Sequence, residues 1–516
     1  MLLSNMELLA TAPGGVAKLR ELILTLAVQG KLVPQDPADE PAGVLLQKIR
    51  AEKDRLIVEG KSKRDKPLAA IAEEEKPFEL PLGWEWVRLG SVLSLEYGSA
   101  LPEKERLPGS IPVYGSNGIV GFHSSALVSE PSLIVGRKGS VGAINISLVP
   151  FWSIDTSYFV TPPSGIELHF AFHLLRSLGL AKHDKATAIP GINRNDVYAE
   201  IVGLPPLAEQ SRIVTRVEAL MRLCDALEAK GQLEAAQHAQ LVSTLLGTLT
   251  ASATPEELAA NWQRVAQHFD LLLDRPAAID ALEQTLLQLA VRGLLVPQDP
   301  TDEPASVLLQ KIRAEKDRLI AEGKIKRDKP LPPITDDEKP FELPVGWEWV
   351  RLNDLIRISS GDGLTAAQMA PGGTVPVYGG NGVNGHHDQA NVDEPTLVIG
   401  RVGYYCGSVH VTPTRAWVTD NAFITRYPKA YLDMSWLYWL LVGTNLKEND
   451  SATAQPVISG RKLYPIVVAL PPLAEQSRIV TRVTALRRLC ADLRQRLAER
   501  EAVQSRLAEA LVQEVA

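Results

Sequence analysis

With 516 residues, 45% of them hydrophobic and 22% charged, the chain has material for more than one packed globular domain. A net charge of −7 argues against free-standing, charge-driven nucleic-acid binding, which ordinarily leaves a basic footprint. Three scattered cysteines (Cys224, Cys406, Cys490) make no disulfide framework, no apolar run reaches the ~18 residues of a membrane span, and no signal peptide is read, so a reducing cytoplasm is expected.

The chain is written twice. Gly83-Trp84-Glu85-Trp86-Val87-Arg88-Leu89 returns as Gly346-Trp347-Glu348-Trp349-Val350-Arg351-Leu352, a shift of 263 positions. The run from Leu204 to Val217 returns unchanged from Leu470 to Val483, a shift of 266. That period exceeds any solenoid repeat, so the pattern is domain duplication. Between the repeated blocks, residues 90–203 and 353–469 share only sparse landmarks and are slightly acidic by count. An invariant frame around two divergent inserts suggests one machine reading two different things.

In chain order, Leu19, Leu22, Ile23, Leu26 and Ala27 make an apolar helical stripe, and Gly30 sits where a C′ glycine would end that helix. A second helix runs through Val44 to Ile57 and stops near Gly60. Charged connectors follow, Lys61 to Lys66 and Lys324 to Lys329, read mainly as solvated linkers. The Gly-Trp-Glu-Trp-Val block alternates like a strand, with Trp84, Trp86 and Leu89 expected inward. In the first insert Val113-Tyr114, Ser132–Val135 and Tyr158–Thr161 read as strands, and Phe170–Leu178 as a helix. Pro205 and Pro206 then open a long helix in which Ile213, Val217, Leu220, Cys224 and Leu227 alternate by four and three. The mates Ile479, Val483, Leu486, Cys490, Leu493 and Leu497 continue the same seam, so the two helices are expected to pair antiparallel. Forty residues of such helix span roughly 60 Å.

Two loop types recur in the inserts. Tyr114-Gly115-Ser116-Asn117-Gly118 matches Tyr378-Gly379-Gly380-Asn381-Gly382, with Asn384 two residues on. Gly136-Arg137-Lys138-Gly139-Ser140-Val141-Gly142 answers Gly400-Arg401-Val402-Gly403-Tyr404-Tyr405-Cys406-Gly407. Neither is a nucleotide-binding glycine motif. Glycine lets backbone approach a partner closely, and Arg137 or Arg401 in such a turn suits phosphate or a guanine edge. The insert tails, Ala188 to Asn195 and Ala454 to Lys462, add Asn193, Arg194, Asn195, Ser459, Arg461 and Lys462.

Catalysis is poorly supported. Asp155 and Asp420 are lone repeated carboxylates, and Asp65 with Glu74-x-Lys76, like Asp337-x-Lys339, only imitates a nuclease triad from a charged linker. The histidines show no metal spacing, and the Leu-Pro-Pro-Leu runs lack the asparagine and aromatic of a methyltransferase motif.

Taken together, Leu26 to Gln35, Leu80-Pro81-Leu82-Gly83-Trp84-Glu85-Trp86, Leu204-Pro205-Pro206-Leu207-Ala208-Glu209-Gln210 and their second copies resemble the specificity subunits of type I restriction–modification systems, over essentially the whole chain. The resemblance implies an α+β protein: two mixed α/β target recognition domains separated by two long antiparallel helices, in a pseudo-two-fold repeat. The implied bounds are 1–76 helical, 77–206 first recognition domain, 207–250 spacer helix, 251–339 helical repeat of the N-terminal region, 340–472 second recognition domain and 473–516 spacer helix. It further implies a non-catalytic subunit without cofactor or metal that reads a bipartite, asymmetric site in double-stranded DNA. The implied partners are two methyltransferase and two restriction–translocase subunits, with no membrane. The DNA-reading candidates are Ser116, Asn117, Arg137, Lys138, Ser140, Asn193, Arg194 and Asn195 in the first domain. In the second they are Asn381, Asn384, Arg401, Tyr404, Tyr405, Ser459, Arg461 and Lys462. The competing classes are a stand-alone nuclease or modification enzyme and a coiled-coil interaction adaptor.

Overall fold

The structure, a computed structural model, describes residues 9, 11–59, 68–183, 191–252, 254–370, 372–447 and 457–515. The connector Lys61–Lys66, with Asp65, and the start of each insert tail (188–190 and 454–456) lie outside them. The chain packs as two compact units, Met1–Glu234 with Arg500–Ala516, and Ala235–Glu499.

Unit 1 begins with helix α1 (Gly15–Val28), whose stripe Leu19, Leu22, Ile23, Leu26 and Ala27 is wholly buried. The helix ends as read: Gly30 takes φ +69°, the Lys31 N–H reaches the Leu26 carbonyl at 2.9 Å, and the Gly30 N–H reaches Ala27. Those two bonds are a Schellman cap, and only glycine takes that left-handed φ without strain. Helix α2 (Ala42–Val58) follows.

Strand β1 (Glu85–Arg88) pairs antiparallel with β9 (Ile201–Leu204) and so closes the insert at its root. Trp84 lies just ahead of β1 and is buried, as is Leu89. Trp86 departs from expectation. Val87 takes the inward position, and the half-buried Trp86 turns to the other side, its ring 4.9 Å from Phe78. Successive strand residues face opposite sides, so Trp86 and Val87 cannot both enter one core.

The insert builds two small sheets. Strands β2 (Glu96–Tyr97), β8 (Ser157–Val160), β5 (Ser132–Gly136) and β6 (Ile144–Ser147) form one, in the order β2-β8-β5-β6, all antiparallel. Hairpin β3 (Ile111–Gly115)–β4 (Gly118–His123) joins β7 (Trp152–Ser153), parallel to β3, in the other. Strand β5 is buried on both faces. Leu133 and Val135 enter the main core, which includes helix α3 (Leu168–Ser177), while Ile134 enters a small cluster with Tyr114, Val128 and Phe151. That two-sided burial accounts for the unbroken apolar run Leu133-Ile134-Val135. A short helix, α4 (Arg194–Tyr198), leads into β9.

Helix α5 (Leu207–Ala251) opens after Pro205-Pro206, and its residues are shared between the units. Unit 2 continues with α6 (Pro255–Gln267), α7 (Pro276–Val291) and α8 (Ala305–Ala321). It then repeats the strand plan: β10 (Glu348–Arg351) with β18 (Val467–Leu470); β11 (Arg357–Ser360), β17 (Ala422–Arg426), β14 (Leu397–Gly400) and β15 (Val409–Val411) in one sheet; β13 (Gly382–His387), β12 (Val375–Gly379) and β16 (Trp417–Val418) in the other. Helix α9 (Met434–Gly443) matches α3, the single turn α10 (Gly460–Leu463) matches α4, and α11 (Leu473–Val515) returns the chain to unit 1.

The seam of the long helices is buried, with Ile213, Val217, Cys224, Ile479, Val483 and Cys490 at most 2% exposed. It is not closed by one partner helix alone. In unit 1, Ile213, Val217 and Cys224 share a core with Leu19 and Ile23 of α1 and Ala508 of α11. In unit 2, Cys490 and Leu497 of α11 share one with Val242, Leu246 and Leu249 of α5 and Ile279, Leu282 and Leu286 of α7. The amphipathic helix heading each repeat must bury its own stripe, and the long helices supply the surface.

In the invariant Ala-Glu-Gln-Ser-Arg run the glutamate, the glutamine and the arginine each have an internal task. The Gln210 side chain accepts from the Glu167 N–H at 2.9 Å and donates to the Pro205 carbonyl at 3.2 Å, and Gln476 accepts likewise from the Asp433 N–H at 3.0 Å. Arg212 pairs with Asp39 at 2.6 Å, and Arg478 with Asp302 at 2.5 Å. These bonds fix the first turns of each long helix to its own unit.

Candidate nucleic-acid interface

In each unit the loops singled out from sequence meet. Ser116-Asn117 is the two-residue turn of hairpin β3–β4, where Gly118 has φ +114°. Gly380-Asn381 is the same turn of β12–β13, with Gly382 at φ +83°. The arginine loops 137–143 and 401–408 join β5 to β6 and β14 to β15. The turn sits directly on the arginine loop. A Cβ on Gly136 would lie 2.6 Å from the Ser116 carbonyl oxygen and 2.1 Å from that of Ser140, so no side chain fits there. On Gly400 it would lie 2.2 Å from the Gly380 carbonyl oxygen. The insert tail then docks on the same loop: Ile192 N–H donates to the Arg137 carbonyl at 3.1 Å, and Ile458 N–H to that of Arg401 at 2.9 Å. Isolated bridges Lys138–Gly191 and Val402–Val457 repeat this contact. Three segments far apart in sequence therefore form one loop cluster, twice.

Each arginine is held by the same device. Arg137 Nη1 donates to the Asp155 carbonyl at 3.1 Å, and Arg401 Nη1 to the Asp420 carbonyl at 3.3 Å. The repeated aspartates thus serve through their main chain. Beyond that the two clusters differ. The Arg137 guanidinium lies 4.9 Å from the centre of the Tyr97 ring, and that of Arg194 lies 5.4 Å from it. Position 97 corresponds to Ser360, as the pairings Tyr97–Tyr158 and Ser360–Phe423 show. Arg401 accordingly donates to the Ser360 hydroxyl at 3.3 Å and lies 5.5 Å from the Phe423 ring. Unit 2 instead projects Tyr404 and Tyr405, 79% and 53% exposed, with Lys447 Nζ donating to the Tyr404 carbonyl at 2.9 Å.

Among the other candidates, Asn117, Lys138, Ser140, Asn195, Asn381, Asn384 and Arg461 are exposed and Ser116 is half-buried. Asn193 spends its side-chain oxygen capping α4, accepting from the Asn195 N–H at 2.9 Å, whereas Ser459 at the matching position makes no such bond. Lys462 Nζ donates to the Val457 carbonyl at 3.0 Å, inside the loop. Burial holds His410, beside Ser408, below its ordinary pKa. Tyr97 and Ser360 escape sequence reasoning because the inserts diverge there and nothing in the pattern marks them.

The triad imitation in the second connector is an ordinary ion-pair segment, with Lys339 bound to Asp336 at 2.6 Å and Lys324 to Glu322 at 2.8 Å. Among the described residues no group of three His, Cys, Asp or Glu side chains is placed to hold a metal, and no helix is long and apolar enough to cross a membrane.

A duplicated frame carrying two divergent inserts defines the class of protein, and comparison with known proteins gives its family. Residues 81–237 and 344–500 each match the type I restriction modification DNA specificity domain. The chain belongs to the family of type I restriction–modification specificity subunits, with two tandem recognition domains. It is 36% identical to the type I restriction enzyme EcoEI specificity subunit of Escherichia coli, across 96% of this chain and 93% of that one. It is 34% identical to the EcoAI specificity subunit of the same organism, with the same coverage. A solved structure, from work on complex assembly and conformational transition of the type I restriction–modification system, is similar in fold: TM-score 0.50 at 21% identity, over 85% of this chain and 99% of that one.

Proposed function

We propose that the first loop cluster (116–117, 136–142, 191–195) reads one half of a bipartite, asymmetric site in double-stranded DNA, and the second (380–384, 400–407, 457–462) reads the other. The recognition domains are 77–206 and 340–472. The supporting observation is that both units assemble the same three loops on the same backbone hydrogen bonds yet present different side chains. Arg137, Arg194 and Arg401 suit base edges in the major groove, while Lys138, Arg461 and Lys462 suit phosphate; base contacts specify and phosphate contacts set register. The exposed Tyr404-Tyr405 pair offers apolar faces to a base or a thymine methyl.

The long helices α5 and α11 act as the spacer between half-sites. Two methyltransferase subunits dock on the repeated frame, and two restriction–translocase subunits join outside them. Adenine-N6 methylation and ATP-driven cleavage belong to those partners, and the chain itself carries no catalytic residue and needs no cofactor. A net charge of −7 fits a subunit whose grip on DNA is completed by its partners. The test is to replace residues 90–203 with the divergent segment of another such subunit and map methylated adenines in cells expressing the complex. One half of the modified site should change; a change in both halves, or in neither, overturns the reading.

A further inference from the structure

The first loop cluster contains a feature that neither the repeat nor its mate predicts. Two guanidiniums, Arg137 and Arg194, converge on one half-exposed ring, Tyr97. Among the described residues neither arginine has a carboxylate within ion-pair distance; their hydrogen bonds go to main-chain carbonyls, Arg137 to Asp155 and Arg194 to Leu95 at 3.3 Å. Like charges gathered without a counter-charge repel, and the aromatic faces and main-chain carbonyls around them offset that repulsion. Each guanidinium donates through one nitrogen and lies over two rings, Arg137 over Tyr97 and, at 5.7 Å, Tyr158, and Arg194 over Tyr97 and, at 5.5 Å, Tyr198, so that Tyr97 is the ring they share and further N–H groups are left for an acceptor. Arginine stacked on an aromatic ring is pre-organised for planar, two-point recognition, and the O6/N7 edge of guanine is its commonest base partner. Among the described residues unit 2 does not repeat this arrangement: Ser360 replaces Tyr97, Gly460 replaces Arg194, and Arg401 donates to the serine hydroxyl.

We propose that Tyr97 is the positioning residue for specificity in the first recognition domain, holding Arg137 and Arg194 to read guanine in the half-site of that domain. This rests on the reading that the loop cluster contacts DNA. Tyr97 itself touches no base; it acts through the arginines.

The test selects binding sequences from a randomised duplex library with the full chain assembled with its methyltransferase subunits. Tyr97→Ser copies unit 2, Tyr97→Phe keeps the ring, Tyr97→Leu keeps apolar packing without it, and Arg137→Lys keeps charge without the planar fork. Thermal melting checks that each folds. Tyr97→Ser, Tyr97→Leu and Arg137→Lys should each lose guanine preference at one or two positions of one half-site by about tenfold or more. Tyr97→Phe should keep it, and the other half-site should not change. If Tyr97→Ser weakens all sequences equally, or shifts a preference for a base other than guanine, the assignment to guanine readout is overturned while the loop cluster stands as the interface. If a separate variant, Asn117→Ala with Lys138→Ala, also leaves both selection and affinity unchanged, the DNA-contact reading of the cluster fails with it.

Discussion

The indole N–H of Trp84 donates to the carboxylate of Glu209 at 2.9 Å, and Trp347 repeats the bond to Glu475 at 3.0 Å. In both copies a glutamine, Gln35 or Gln298, donates to the other carboxylate oxygen at 3.2 Å. A residue just ahead of the first strand thereby anchors the first turn of the long helix. The glutamates are 1% exposed, so each bond is made where water cannot replace it.

Removing the donor should therefore be costly. Trp84→Phe leaves the Glu209 oxygen short of a partner and is expected to destabilise unit 1 by about 1–3 kcal/mol. Urea denaturation of the full chain checks this. Equal stability of variant and parent would show that the bond contributes nothing net.

Burial raises the Glu209 and Glu475 carboxyls above the ordinary value of 4.5, outweighing their hydrogen bonds. The folded state thus holds these protons at pH values where the unfolded chain has released them. Stability from these groups is full below about pH 4.5 and is lost as pH rises through the folded values. The advantage of the parent over Glu209→Gln with Glu475→Gln should shrink as pH rises from about 4.5 toward 7. Melting temperatures across that range check it, and a gap that widens with pH would contradict the burial argument.

The buried seam and the exposed stretch of α5 should respond differently. Ile213 is 1% exposed and Leu233 is 59% exposed. Ile213→Ala should cost about 2–5 kcal/mol through lost contacts and a cavity, and Leu233→Ala within about 0.5 kcal/mol. Calorimetry of the two variants tests the contrast, and equal effects would mean the seam is not where the packing energy lies.

Gly136 and Gly400 hold the turn against the arginine loop with no room for a methyl group. Gly136→Ala should push the first cluster apart, lower the melting temperature and weaken recognition of one half-site, and Gly400→Ala should do so for the other half-site. Methylated-site mapping in cells checks both. Loss of both half-sites from one substitution would indicate general unfolding instead.

The apolar stripe of α1, its Gly30 cap and the proline-opened long helix are legible because their causes lie within a few residues of one another. Strands β3, β5 and β8 and helix α3 are legible for the same reason. Trp86 departs from its expected face because alternation fixes which residues share a face but not which face meets the core. The seam of the long helices is legible and the third helix against it is not, since a stripe demands burial without naming the surface that buries it.

By itself the chain of letters determined the duplication, the two divergent inserts, the local elements and the family, all carried by patterns that repeat at fixed offsets. Only the tertiary structure decided that the β3–β4 turn, the arginine loop and the insert tail converge, and that Arg137 meets Tyr97 where Arg401 meets Ser360. Those contacts join strands and loops dozens of residues apart inside segments that differ between the copies. Their geometry is set by strand pairing and close packing of glycine against backbone, which leave no periodic trace in sequence.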